Sequence, residues 1–188
     1  MPKSLWKGAL LGGLVLFAWG NVSWIVLPWH NMTLSTFTDE DEVARVLEAN
    51  TSGRGIYLYP GAHHKPGMTP EEQKAAQGAA REKMKAGPFI FVSIVDAGMT
   101  SMARPLILGL ILQILGALAL TMIVVRCRES GFWERVSIVV LVVLAAGILC
   151  FLPLWNWFGF ATGYTLVSIF DLLISGFLAG LVIAKVAP

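Results

Sequence analysis

The sequence predicts a membrane protein built as an all-α, four-helix transmembrane bundle, with a small extracytoplasmic α+β domain inserted between helices 1 and 2. Three observations predict it. Hydrophobic residues make up 56% of the chain and charged residues only 14%, where soluble proteins carry roughly 45–50% and about 25%. The apolar residues are gathered into four runs, each long enough to cross ~30 Å of hydrocarbon at ~1.5 Å per residue. One polar stretch, residues 31–100, separates the first run from the second.

The first span is expected over residues 5–27, apolar apart from Asn21 and Ser23. Lys3 and Lys7 ahead of residues 8–17 also have the form of a secretory signal, but Ala18-Trp19-Gly20-Asn21 offers no small-x-small cleavage site. The segment therefore reads as an uncleaved signal anchor, with a removed signal as the alternative. The second span is expected over residues 104–126, opened by Pro105, whose missing N–H costs nothing in a first helical turn. The third covers 136–154, closed by Pro153, and the fourth covers 163–186.

Lys and Arg accumulate beside the cytoplasmic ends of spans. Lys3, Lys7, Arg126, Arg128, Arg135 and Lys185 all fall on one side if the four spans alternate. That assignment puts both termini in the cytoplasm and residues 28–103 outside. Trp24, Trp29, Trp155 and Trp157 then belong to the outer interface and Trp6 and Trp133 to the inner one, the levels that amphipathic rings prefer.

Within the inserted domain, Thr38 is expected to cap a helix starting at Asp39-Glu40-Asp41-Glu42, whose acidic turn complements the helix dipole. Val43, Val46 and Leu47 would form its buried stripe. Residues 55–59 read as a strand, and Thr69-Pro70-Glu71-Glu72 as a capping box opening a helix over 70–86, stopped by Gly87-Pro88. Residues 89–95 are continuously apolar and read as a strand buried on both faces. The strand-helix-strand order allows a parallel pair with a right-handed crossover, or an antiparallel pair. A unit of ~70 residues has a marginal core and is expected to rest on the membrane surface or on a partner.

Composition also limits the partners. A net charge of +2, with no basic cluster interleaved with aromatics, gives no reason to expect nucleic acid. The partners expected are the lipid bilayer and other membrane proteins, or a second copy of the chain. Cys127 and Cys150 are separated along the chain and form no CxxC pair, so two unpaired thiols are expected. No Gly-x-Ser-x-Gly, phosphate-cradling glycine loop or HExxH occurs, and neither a catalytic residue nor a cofactor is assigned.

Polar groups at bilayer depth persist only for a reason. Asp171 lies ~12 Å down span four, Gln113 ~14 Å down span two and Asn21 ~10 Å down span one, measured from the outer ends. Ser168 and Ser175 share the face of Asp171. These five residues form an expected intramembrane polar cluster, either a protonatable or ligand-binding centre or a set of interhelical hydrogen bonds. Gly176 and Gly180 form a small-xxx-small pair suited to close helix packing. His30, His63 and His64, with Met32, Met68 and Met99 on the same side, are of the types that bind copper, but no spacing fixes a geometry. For His63-His64 the competing reading is a solvated loop, and for His30 a helix-end anchor.

The layout of four spans with a large first outer loop resembles the claudin-type arrangement in topology, without the paired loop cysteines of claudins. It also resembles the four-span quinone-coupled thiol oxidases, whose outer-loop cysteine pairs are likewise absent. Leu27-Pro28-Trp29-His30, Phe37-Thr38-Asp39-Glu40, Gly55-Ile56-Tyr57 and Gly87-Pro88-Phe89-Ile90-Phe91 are similar to segments of a group of uncharacterised bacterial inner-membrane proteins. That similarity implies a bacterial inner-membrane location and no activity. Two functions remain in view with a third behind them: a non-enzymatic protein whose outer domain binds a partner or lipid, and a small transporter or channel component built around Asp171. The third is a metal-binding membrane protein or membrane enzyme.

Overall fold

The computed structural model describes residues 3–61, 66–95, 98, 101–127 and 129–187. The chain divides into two compact units, Met1–Ser35 with Thr100–Pro188, and Thr36–Met99.

The first unit is a bundle of four long helices. Helix α1 spans Lys3–Asn21 and continues through a π-helical turn at Val22–Val26. Helices α4 (Ala103–Arg126), α5 (Phe132–Phe158) and α6 (Thr162–Val186) complete it, α2 and α3 belonging to the second unit. All four are long and apolar enough to cross a bilayer. Many of their side chains face outward, and large apolar residues such as Leu14, Ile107, Leu112, Leu141, Leu149 and Phe170 are among the exposed ones. Water would penalise such a surface, and hydrocarbon would not.

The helices are arranged in the order α4, α1, α6, α5, with each neighbour closely packed, whereas the consecutive helices α4 and α5 touch little. Small residues allow the close approach. A Cβ on Gly13 would stand 2.6 Å from the Ile114 Cα, and one on Gly8 would stand 2.5 Å from a Thr121 methyl. Gly176 faces Val143 and Gly180 faces Val139, so both glycines of the predicted pair lie on the α5–α6 seam. Leu16, Leu120, Val124, Val139 and Ile183 fill the core between these seams. At the far end of α6, Arg135 Nη1 donates to the Ala187 carbonyl at 3.2 Å, a cation serving a helix C-terminus.

Two helix ends differ from expectation. α5 runs through Pro153 to Phe158. Proline removes only one ladder hydrogen bond, and the helix stops where Gly159 adopts a left-handed φ of 69° with its N–H on the Leu154 carbonyl. Helix α2 (Glu40–Asn50) is capped by Asp39, not Thr38. The Asp39 carboxylate accepts from the Glu42 N–H at 2.9 Å, and a charged acceptor is the better match to the positive end of a helix.

The second unit contains α2, β1 (Gly55–Tyr59), α3 (Pro70–Ala86) and β2 (Ile90–Ile94). Thr69 and Glu72 form the reciprocal capping box of α3. The strands pair antiparallel, Gly55 opposite Ile94 and Tyr59 opposite Ile90. The parallel alternative is therefore not taken: β2 starts at Ile90, opposite the end of β1 at Tyr59. β2 is not buried on both faces, since Ile90 and Ser93, which point to opposite faces, are exposed. Val43 and Leu47 are half-buried and Val46 is exposed, so the α2 stripe is only partly covered. Among the described residues of this unit, Pro60 and Ala80 alone are buried. Two strands and two short helices cannot enclose more.

Candidate functional site

The site grows out of the end of α1. At Val22–Val26 the ladder widens, with the Leu27 N–H reaching the Val22 carbonyl five residues back at 3.1 Å. Such π-turns insert a residue and re-aim the side chains around it. Pro28 then turns the chain, the Met32 N–H closes on the Pro28 carbonyl, and the Thr33 hydroxyl donates to the His30 carbonyl at 2.8 Å. The result folds His30 back into the bundle, where it is 2% exposed.

Around His30 the side chains are tightly arranged. Its Nε2 lies 3.0 Å from Ser23 Oγ and 3.4 Å from Asp171 Oδ2. The Trp24 ring stacks on the imidazole with centroids 3.9 Å apart and an angle of 6°, and Trp29 meets it edge-on. Trp29 Nε1 donates to Ser23 Oγ at 3.0 Å, and Trp19 Nε1 donates to Asp171 Oδ1 at 2.6 Å. Asp171 thus has one oxygen on an indole N–H and the other beside an imidazole nitrogen. A carboxylate 3.4 Å away favours the tautomer with hydrogen on Nε2. Nδ1 is then a buried acceptor, and it has no partner among the described residues.

Ser23, His30 and Asp171 do not constitute a nucleophilic relay. In a Ser-His-Asp triad the acid holds one ring nitrogen while the serine uses the other. Here serine and acid face the same nitrogen. The arrangement anchors and polarises, and has no base free to take a serine proton.

Beside this cluster is a cleft of about 750 Å³, its walls formed by α4 and α5, which stand apart, and its floor by α1 and α6. Leu106, Gly109, Gln113, Gly116 and Leu120 line it from α4, and Val142, Val143, Ala146 and Phe151 from α5. Trp19, Trp24, His30, Tyr164 and Asp171 also line it. Its volume falls in the range of about 300–1,000 Å³ typical of small-molecule sites, and its surface is mostly apolar with a few polar groups.

Asp171, Gln113, Asn21, Ser168 and Ser175 all line this cleft. They are not joined into one network. Asn21 Nδ2 donates to the Phe17 carbonyl at 2.8 Å and Ser175 Oγ to the Leu172 carbonyl at 2.9 Å, each within its own helix. The partners of Asp171 are Trp19 and His30, which the five-residue grouping omits. The Trp residues at 19, 24 and 29 recur every five positions. That regular spacing, ending in Pro28-Trp29-His30, is the signal that marks an aromatic cluster more specific than an interfacial belt.

No three His, Cys, Asp or Glu side chains come together as a metal-binding group among the described residues. His63, His64 and Met99 lie outside the described residues. Cys127 and Cys150 are both free thiols.

Comparison with known proteins leaves the chain defined by its own architecture: it is an integral membrane protein with four spans, and no protein-family model, curated protein or solved structure matches it.

Proposed function

We propose that the protein binds an amphiphilic small molecule within the membrane, in the cleft between α4 and α5, as a carrier or as a component of a transporter. The observation that supports this reading is an apolar cleft of about 750 Å³ with a single acidic side chain, Asp171, among the described residues of its lining. Apolar walls suit a ligand that arrives dissolved in lipid, and the limited packing of α4 on α5 leaves it a path from the side. The carboxylate, held by Trp19 and His30, supplies the polar anchor. The bilayer is taken to be a bacterial inner membrane from the resemblance to bacterial inner-membrane proteins, and both termini are taken to be cytoplasmic from the distribution of Lys and Arg.

Gly116 provides the test. It lines the cleft, and a Cβ at this position would meet nothing within 4 Å. Gly116→Phe should therefore fill the cleft and leave the helix packing intact. The full chain in lipid nanodiscs should show saturable binding of a neutral fluorescent diacylglycerol that Gly116→Phe abolishes at unchanged melting temperature. Binding that never saturates, or that ignores the substitution, refutes the reading.

A second reading is favoured by the α+β unit, in which Phe37, Ile56, Met84, Ile90 and Val95 are exposed. A unit with so little of its own core gains by covering these side chains with a partner protein or lipid. Photo-crosslinking from position 56 in native membranes should then give one reproducible adduct, which Ile90→Asp weakens. The absence of any adduct, with a monomer on sizing, counts against it.

A further inference from the structure

We propose that the ligand of the cleft is a lipid-soluble organic cation whose positive charge pairs with Asp171; this rests on the cleft being the binding site, and it names the class of ligand. The argument begins with charge. Among the described residues lining the cleft, Asp171 is the only acid, and no Lys or Arg is present. The titratable groups there are Asp171 itself, His30 and Tyr164. An anion entering this space meets a carboxylate with no fixed positive charge beside it. A cation meets a counter-ion.

The hydrogen-bond inventory leaves room for that counter-ion to act. A carboxylate offers about four lone-pair sites. Trp19 Nε1 takes one on Oδ1 and His30 Nε2 faces one on Oδ2. The remaining sites are available at a side chain that is 18% exposed. Asp171 can therefore hold a ligand cation without first breaking its own anchors.

Aromatic rings add to the same selectivity. Phe17, Trp19, Trp24, Phe151 and Tyr164 all line the cleft. The faces of such rings carry negative electrostatic potential and attract organic cations, most effectively where water is displaced. An intramembrane charge is otherwise costly and calls for a partner, a requirement that an incoming cation would meet. Bulk apolar groups on the ligand would occupy the space between α4 and α5.

The experiment compares tetraphenylphosphonium with tetraphenylborate, which share size and shape and differ in the sign of charge. The full-length chain is placed in zwitterionic nanodiscs, and the signal of empty nanodiscs is subtracted. Saturable binding is expected for the phosphonium and not for the borate. Asp171→Asn should weaken phosphonium binding roughly tenfold or more, and Asp171→Glu should retain the preference for the cation. Equal saturable binding of both ions, or an Asp171→Asn protein that binds the cation as the parent does, overturns the proposal. The comparison of the two ions on the unaltered protein decides the matter even where a variant does not fold. If both ions fail while the neutral diacylglycerol still binds in a Gly116-dependent way, the cation assignment falls and the cleft stands. If all three fail, both fall.

Discussion

Trp19 and Asp171 belong to different helices, 152 positions apart in sequence, and the indole Nε1–H of one donates to Oδ1 of the other at 2.6 Å. This bond ties the C-terminal part of α1 to α6. It also leaves the second carboxylate oxygen facing His30. The acid therefore faces two donors at once; without it the Trp19 indole N–H loses its acceptor, while His30 Nε2 still has Ser23 Oγ.

Substitutions at position 171 should separate these consequences. Asp171→Asn keeps one carbonyl oxygen as an acceptor and should cost about 1 kcal/mol. Asp171→Leu keeps none, and the Trp19 indole N–H loses its acceptor at about 1–3 kcal/mol, while His30 Nε2 keeps Ser23 Oγ at 3.0 Å. Trp19→Phe, which removes the indole donor, should fall between the two. Thermal unfolding in matched nanodiscs gives the order, and Leu no worse than Asn would mean that the hydrogen bonds contribute nothing to stability.

Glycines in the spans should divide by what surrounds them. A Cβ at Gly13 would press on the Ile114 backbone, which cannot swing aside, so Gly13→Ala should cost about 1–3 kcal/mol by forcing α1 from α4. Gly78, inside α3, has nothing within 4 Å of the added atom. Gly78→Ala should stabilise that helix by up to about 1 kcal/mol. Melting of the full chain tests the first change, and hydrogen exchange across residues 70–86 tests the second.

The parts of this molecule legible in the sequence are those fixed by local chemistry or by bulk hydropathy. Four long apolar runs must be satisfied by lipid, and the Thr69–Glu72 capping box is a local hydrogen-bond exchange, so both follow from residues close together in the chain. Asp171 drew attention because an acid within a span is costly. Its partners were hidden, because pairing Trp19 with Asp171 depends on how two helices rotate against each other. His30 in the bundle depends on the π-turn at Val22–Val26, and hydropathy carries no mark of an inserted residue. The same reason applies to the strands: apolar character in residues 90–94 says that they want cover, not which direction their neighbour runs or how much cover two short helices provide.

The Glu42–Arg45 pair makes α2 sensitive to acid. Arg45 donates to both Glu42 oxygens, at 2.7 and 2.8 Å, and holds the carboxyl below its ordinary value of 4.5, while the carboxylate raises Arg45. A carboxyl with a lowered folded-state value adds stability above the unfolded value, and that stability is lost as pH falls through the folded one. Both side chains are exposed, so the effect is small and screened by salt. A carbon-detected titration should place the Glu42 midpoint below 4.5 and move it upward in Arg45→Ala. An unmoved midpoint would mean that the pair does not persist in solution.

The proposed orientation makes the last prediction. Lys3, Lys7, Arg126, Arg135 and Lys185 gather at one end of the four spans, and translocation resists short basic segments, so that end should face the cytoplasm. α1 and α4 then lead the α+β unit out and back, and the α5–α6 turn lies on its side of the membrane. Alkaline phosphatase, which folds only in the oxidising periplasm, should be active when fused after residue 95 or after residue 160 and inactive after residue 129. A fluorescent reporter that matures only in the cytoplasm should give the reverse pattern. Activity after residue 129 would invert the molecule and expose the Trp19–Asp171 end of the cleft to the cell interior, so a cation taken up there would come from the opposite compartment.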